Sequence, residues 1–173
     1  MQVTADGGVV VRAPLLAPAW KINRFLEEQS EWIAAHVARA RERSEKERAD
    51  GLPVFTDSQM RSLTEQAKQE IPPEVRRYAA LMGIRVGRIT IRSQHTVWGS
   101  SSAKGNLNFN CLLMLVPEEV RTYVIVHELC HQKQMNHSAL FWAEVEKVLP
   151  DYRQYRKWLK DNGSRCIRRL PAR

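Results

Sequence analysis

An α+β fold, helices gathered around a small sheet, is predicted from three features of this sequence. Several long segments place apolar residues at the helical period. Two short segments, residues 88–92 and 106–111, alternate apolar and polar side chains as half-buried strands do. Between these two lies a run of small residues, Trp98-Gly99-Ser100-Ser101-Ser102-Ala103-Lys104-Gly105, which reads as a loop.

The elements follow in order. Residues 2–4 and 9–12 read as a hairpin turning at Asp6, Gly7 and Gly8. Pro14 and Pro18 mark a loop. Residues 20–49 read as one long helix with the apolar stripe Ile22, Phe25, Leu26, Trp32, Ile33 and Val37. His36 lies on that stripe, where a packed histidine is expected rather than a ligand. Gly51, Leu52 and Pro53 break the pattern, dividing residues 1–52, a hairpin-and-helix appendage of the same domain, from a body of residues 53–173. A helix begins at Asp57 as N-cap, carries Met60, Leu63 and Ala67, and is interrupted by Pro72 and Pro73. A further helical stretch, 74–82, ends at Gly83.

After the two strands, Pro117 suits a first helical position, and Glu118 and Glu119 suit the positive end of the helix dipole. This helix is expected to run through Val120, Val124, His127 and His131 to about Met135. Ser138 caps another, bearing Leu140, Phe141, Val145 and Val148 and stopped by Pro150. A short helix around Tyr155, Trp158 and Leu159 ends at Asn162-Gly163.

The bulk properties narrow the function. The chain's 173 residues suit one domain able to bury its own core. No apolar run is long enough to span a bilayer and no secretory signal opens the chain, so a monomer in the cytoplasm is expected. Cys111, Cys130 and Cys166 are odd in number and widely spaced, as buried free thiols are. A formal charge of +8 favours polyanionic partners such as nucleic acid. One basic cluster, Arg39, Arg41, Arg43, Lys46 and Arg48, is interleaved with Glu42, Glu45, Glu47 and Asp50 and reads as an ion-paired helix face. A second, Arg165, Arg168, Arg169 and Arg173, is less diluted.

The chemistry is concentrated in His127-Glu128-Leu129-Cys130-His131, an H-E-x-x-H motif on a helix. Residues four apart stand one above the other on a helix face, so two imidazoles can converge on one ion. Glu128 then projects beside the metal as a general base. A catalytic zinc takes three protein ligands and keeps one position open. His137, six residues after His131, is the third, provided that the helix stops and the chain turns back; Asn136, tolerant of the left-handed conformation, is the expected turn residue. One zinc per chain is expected, although nickel, cobalt and manganese accept similar ligands. Tyr123, one turn before His127, and His95, before the Trp98 loop, are candidate donors to an oxyanion. Cys130 points away from the ligand pair and reads as core.

These residues carry a resemblance. Val126 through His131, then Met135-Asn136-His137-Ser138 and Phe141-Trp142, resemble the YgjP-like zinc metallopeptidases, relatives of the SprT and WLM proteases. Trp98-Gly99-Ser100-Ser101-Ser102, Gly105 through Asn110, Val11-Arg12-Ala13-Pro14 and Trp32-Ile33 extend the likeness over nearly the whole chain. The resemblance implies a zincin-like fold with a small, mostly antiparallel sheet packed on the active-site helix. It also implies that an extended peptide or unfolded protein substrate pairs with the strand nearest the cleft, matched here by the backbone of Asn106, Asn108 and Asn110. The sequence departs from the family pattern at Val97, usually arginine, and at Ser101, usually cysteine. Three functions remain open: a zinc-dependent peptidase, a zinc hydrolase of nucleotide phosphoanhydrides, and a basic nucleic-acid-associated module with a zinc site.

Overall fold

The computed structural model describes residues 1–3, 8–13, 17–49 and 51–171. The expected turn residues Asp6 and Gly7, the loop proline Pro14, and Asp50 and Arg173 lie outside this set, as do the side chains of Arg41, Arg43, Glu45, Lys46, Glu47 and Arg48. The chain forms two compact units, Met1–Leu52 and Pro53–Arg173.

In the first unit, β1 (Gln2–Val3) pairs antiparallel with β2 (Val9–Val10), Val3 opposite Val9. The single long helix expected here is two helices, α1 (Ala19–Glu28) and α2 (Ser30–Ala49). Gln29 leaves the helical well at φ −104° and ψ 13°. The break leaves Glu27 and Glu28 at the unfavourable negative end of α1, while Glu31 gains the positive end of a new helix. His36 stacks on Trp32 with ring centroids 3.8 Å apart and its Nδ1 meets the Trp32 carbonyl at 2.8 Å, a packed histidine as its place on the stripe suggested.

The second unit opens with α3 (Asp57–Leu81). Thr56, one residue before the expected cap, closes a reciprocal capping box with Gln59. The helix runs through Pro72 and Pro73 rather than stopping there. The carbonyls these prolines leave without amide partners belong to Lys68 and Gln69, both exposed to water, while Ile71 and Val75 on the opposite face are fully buried. Tertiary burial thus outweighs the lost backbone bonds. Gly83, at φ +65°, ends the helix: its N–H reaches the Ala80 carbonyl and the Ile84 N–H reaches that of Ala79, a Schellman closure.

Three strands follow: β3 (Ile89–Arg92), β4 (Gly99–Ser101) and β5 (Leu107–Asn110). Their order is β3-β5-β4; β5 runs parallel to β3 and antiparallel to β4. The sheet is therefore mixed, where a mostly antiparallel one was expected, because β4 folds back on the far side of β5 from β3. Strand β4 falls inside the segment read as a loop. Gly-Ser-Ser has no β-branched or aromatic residue to mark it, and its pairing with β5 makes it a strand. Leu107 and Phe109 on β5 are fully buried.

After a 3₁₀ turn at Cys111–Leu115 come α4 (Glu118–Cys130), α5 (Ala139–Val148) and α6 (Tyr152–Ile167). Pro117 is the N-cap of α4, one position earlier than expected. Val120, Val124, Ile125, Val126, Leu129 and Cys130 bury α4 in the core. On its outer side, buried Glu74 of α3 receives the Arg121 guanidinium at 3.0 Å and the Thr122 hydroxyl, tying the two helices together. Helix α6 continues past Asn162 and Gly163, where a stop was expected. Gly163 is buried against Trp98; a β-carbon there would stand 3.1 Å from the indole. This glycine serves close packing, not termination.

Candidate metal centre and active site

Helix α4 stops at Cys130 with His131 as its C-cap, five residues short of Met135. Successive tight turns reverse the chain: the Gln132 N–H bonds the Leu129 carbonyl, and the amides of Lys133 and Gln134 bond that of Cys130, each at 2.9 Å. Among the described residues no non-glycine has a positive φ, so Asn136 does not make the left-handed turn expected of it. The 3₁₀-like turns perform the reversal instead.

The reversal brings His137 back over α4. Its Nε2 lies 3.0 Å from that of His127, and the Nε2 of His131 lies 3.3 Å from the same atom. One ligand atom from each of the three falls within 4.8 Å of the others. Zinc–nitrogen bonds of about 2.0–2.1 Å in a tetrahedron set nitrogens roughly 3.3–3.4 Å apart, so the spacing fits such an ion. Protonation fits too. Burial, then the charges of His131, His137 and Arg156, holds the His127 imidazole down to about 3, so its lone pair stays free. His131 is also lowered, chiefly by burial. Its Nδ1 lies 3.2 Å from the Gln134 carbonyl, a contact that leaves Nε2 available to a metal.

Phe141, fully buried, lies beneath all three rings at centroid distances of 4.8, 4.6 and 4.8 Å from His127, His131 and His137. Trp142 stacks on His137 from the side. The helical period had assigned Phe141 to core. Its position four residues after His137 is the signal that it also serves the site.

Glu128 is buried at 6% exposure, and burial pushes its carboxyl up to about 7. Gly99 on β4 lies against it: a β-carbon there would meet Glu128 Cγ at 2.7 Å. Gln132 anchors β4 from the turn after α4, donating to the Ser101 hydroxyl and to the Ser102 carbonyl. Read as part of a featureless loop, Gly99 had no sequence signal for this role.

The remaining candidates separate. Strand β5 is central, so its backbone pairs on both sides and cannot add a substrate strand as expected of Asn106, Asn108 and Asn110. These asparagines brace the sheet: Asn106 Oδ1 accepts from the Arg88 N–H, Asn108 donates to Ser100, and Asn110 donates to the carbonyls of Gln94 and Val97. The unpaired edge beside Glu128 belongs to β4. Tyr123 packs edge-on against His127 at 5.8 Å, and burial raises its phenol to about 12, so it keeps its proton. His95 lines a separate cleft of about 640 Å³ with Arg61, Thr64 and Arg92, and no member of the histidine cluster lines it. Cys130 is buried core. Among the described residues no helix is long and apolar enough to cross a membrane.

Three converging imidazoles beside a buried carboxyl form a candidate metal site, and the family match makes this a metallopeptidase domain. The chain belongs to the YgjP-like family, whose model (YgjP-like, metallopeptidase domain) matches residues 56–162. No curated protein matches the chain. Among solved structures, the crystal structure of the metallopeptidase zymogen of Pyrococcus abyssi abylysin is similar at 26% identity, over 52% of this chain and 93% of that one, with a TM-score of 0.47.

Proposed function

We propose that this protein is a zinc-dependent peptidase with Glu128 as general base and the free edge of β4 as the seat of an extended substrate. The observation that carries the reading is the convergence of three imidazole nitrogens next to a buried carboxyl and an unpaired strand edge. His127, His131 and His137 would hold the zinc, which when bound supplies Lewis-acid polarisation of a carbonyl and acidifies water toward neutral pH. Glu128 takes the proton of the attacking water on its carboxylate and passes it to the departing amine nitrogen. Burial raises this carboxyl, which favours its holding the proton between the two transfers. The backbone of Gly99–Ser101 pairs with the substrate main chain, so that cleavage depends on extended conformation more than on side-chain identity. Tyr123, protonated beside His127, is available as a hydrogen-bond donor to the developing oxyanion.

The test joins metal content to hydrolysis. One zinc per purified chain, lost in His131→Ala, and peptide cleavage lost in Glu128→Gln with zinc retained, is the expected pattern. A protein that takes up no zinc when it is supplied, or a Glu128→Gln variant with full activity, would overturn the reading.

A further inference from the structure

Helix α6 brings a guanidinium to the rim of this site. The Arg156 guanidinium carbon lies 4.4 Å from the centre of the Trp142 ring. That same indole stacks on His137, with centroids 5.7 Å apart, and its ring centre lies 5.9 Å from that of His127. Tyr152, one helical turn before Arg156, stacks on Trp142 at 5.3 Å and 13°. A single indole therefore bridges the histidine cluster and the cation.

Two of its neighbours on the helix are neutralised: Arg153 faces Glu146 at 3.7 Å, and Lys157 meets Asp161 at 2.8 Å. Lys160, one turn further on, adds a second cation without a carboxylate partner among the described residues. Arg156, among the described residues, has no carboxylate or hydrogen-bond partner; its guanidinium lies over the Trp142 face. An unneutralised guanidinium beside a site built for a divalent cation concentrates positive charge, and an anion is the group that both can share. The guanidinium fork matches a carboxylate bidentately, and the indole under it restricts the side chain before anything binds.

We propose that Arg156 anchors a carboxylate of the peptide substrate beside the scissile bond, making this a peptidase that selects for an acidic group near the cleavage point. The proposal rests on the metallopeptidase reading and names its substrate class. The carboxylate can come from the chain terminus or from an aspartate or glutamate side chain, and the experiment separates the two.

Three peptides built on one sequence without acidic residues are compared: with a free C-terminus, with an amidated C-terminus, and amidated with one internal residue replaced by glutamate. Binding is measured by calorimetry to zinc-loaded protein carrying Glu128→Gln, so that nothing is cleaved. Arg156→Met keeps the stem over Trp142 and removes the charge; Arg156→Lys keeps the charge and loses the fork. At least one carboxylate-bearing peptide is expected to bind about ten-fold or more tighter than the neutral one. Arg156→Met should erase that preference without weakening the neutral peptide, and Arg156→Lys should restore part of it. Whichever peptide loses affinity identifies the source of the carboxylate. With Glu128 intact, the loss should fall on KM of the same peptide. Equal weakening of all three peptides, no weakening of any, or a fall in kcat common to all would overturn the assignment. If the wild type cleaves no peptide, the catalytic reading fails on its own, and the binding comparison still decides the role of Arg156.

Discussion

A β-carbon on Gly99 would stand 2.7 Å from Cγ of Glu128 and 2.8 Å from its Oε1. The strand and the carboxyl are thus in contact through a position that tolerates only hydrogen. Gly99→Ala must push the carboxyl aside while leaving the three histidines in place. A displacement of about 1 Å at a reacting group costs on the order of a hundred-fold in rate. The expected outcome is a kcat lowered to that degree with zinc content unchanged, read by steady-state kinetics and elemental analysis of the same sample.

Burial of Glu128 has a cost that pH exposes. Its folded pKa, about 7, lies above the unfolded value of 4.5, so the folded chain holds a proton that the unfolded chain has released. The stability this group contributes is full below about 4.5 and declines as pH rises through 7. Glu128→Gln removes the ionisation. In chelator-treated protein at pH 8 the variant should be more stable than the wild type by roughly 2–3 kcal/mol, and at pH 4.5 the difference should nearly vanish. Paired denaturant melts at the two pH values check this; a variant less stable at pH 8 would contradict it.

His127 works in the opposite direction. Its folded pKa, about 3, lies below the unfolded value of 6.5 because burial penalises the imidazolium. The metal-free fold therefore keeps its stability above about 6.5 and loses it as pH falls toward 3. His127→Gln should flatten this acid limb of the melting temperature against pH. An unchanged limb would mean that the ring is charged in the fold.

The link between α3 and α4 depends on charge balance. Glu74 is 9% exposed and is held by Arg121 and Thr122. Arg121→Met strands that carboxylate and should cost about 3 kcal/mol. The double variant with Glu74→Leu should recover most of the loss, because an apolar pair replaces a buried ion pair with little penalty. Urea melts of the two single variants and the double variant measure the coupling.

The histidine cluster was legible from the sequence because helical spacing is local: His127 and His131 share a face whatever the rest of the chain does. The position of His137 required only that the helix stop soon after His131. The route of that turn was not legible. Asn136 carries the side chain of a left-handed turn, yet the amides of Lys133 and Gln134 had already closed the helix. Partners distant in sequence account for the other differences. Pro72 and Pro73 break a helix only where burial does not hold it, and the burial of Ile71 and Val75 comes from the folded core. The alternation in residues 106–111 correctly marked a strand but could not say whether it lay at an edge or in the centre, and that placement moved the substrate edge to β4. Gly163 reads as a stop signal until Trp98 is seen against it.

That contact between Trp98 and Gly163 makes the last helix a support for the approach to β4. All three histidines of the cluster precede α6 in the chain, whereas the indole next to Gly99 finds its seat only on α6. A chain cut short before α6 would keep the cluster and lose the surface that lodges Trp98.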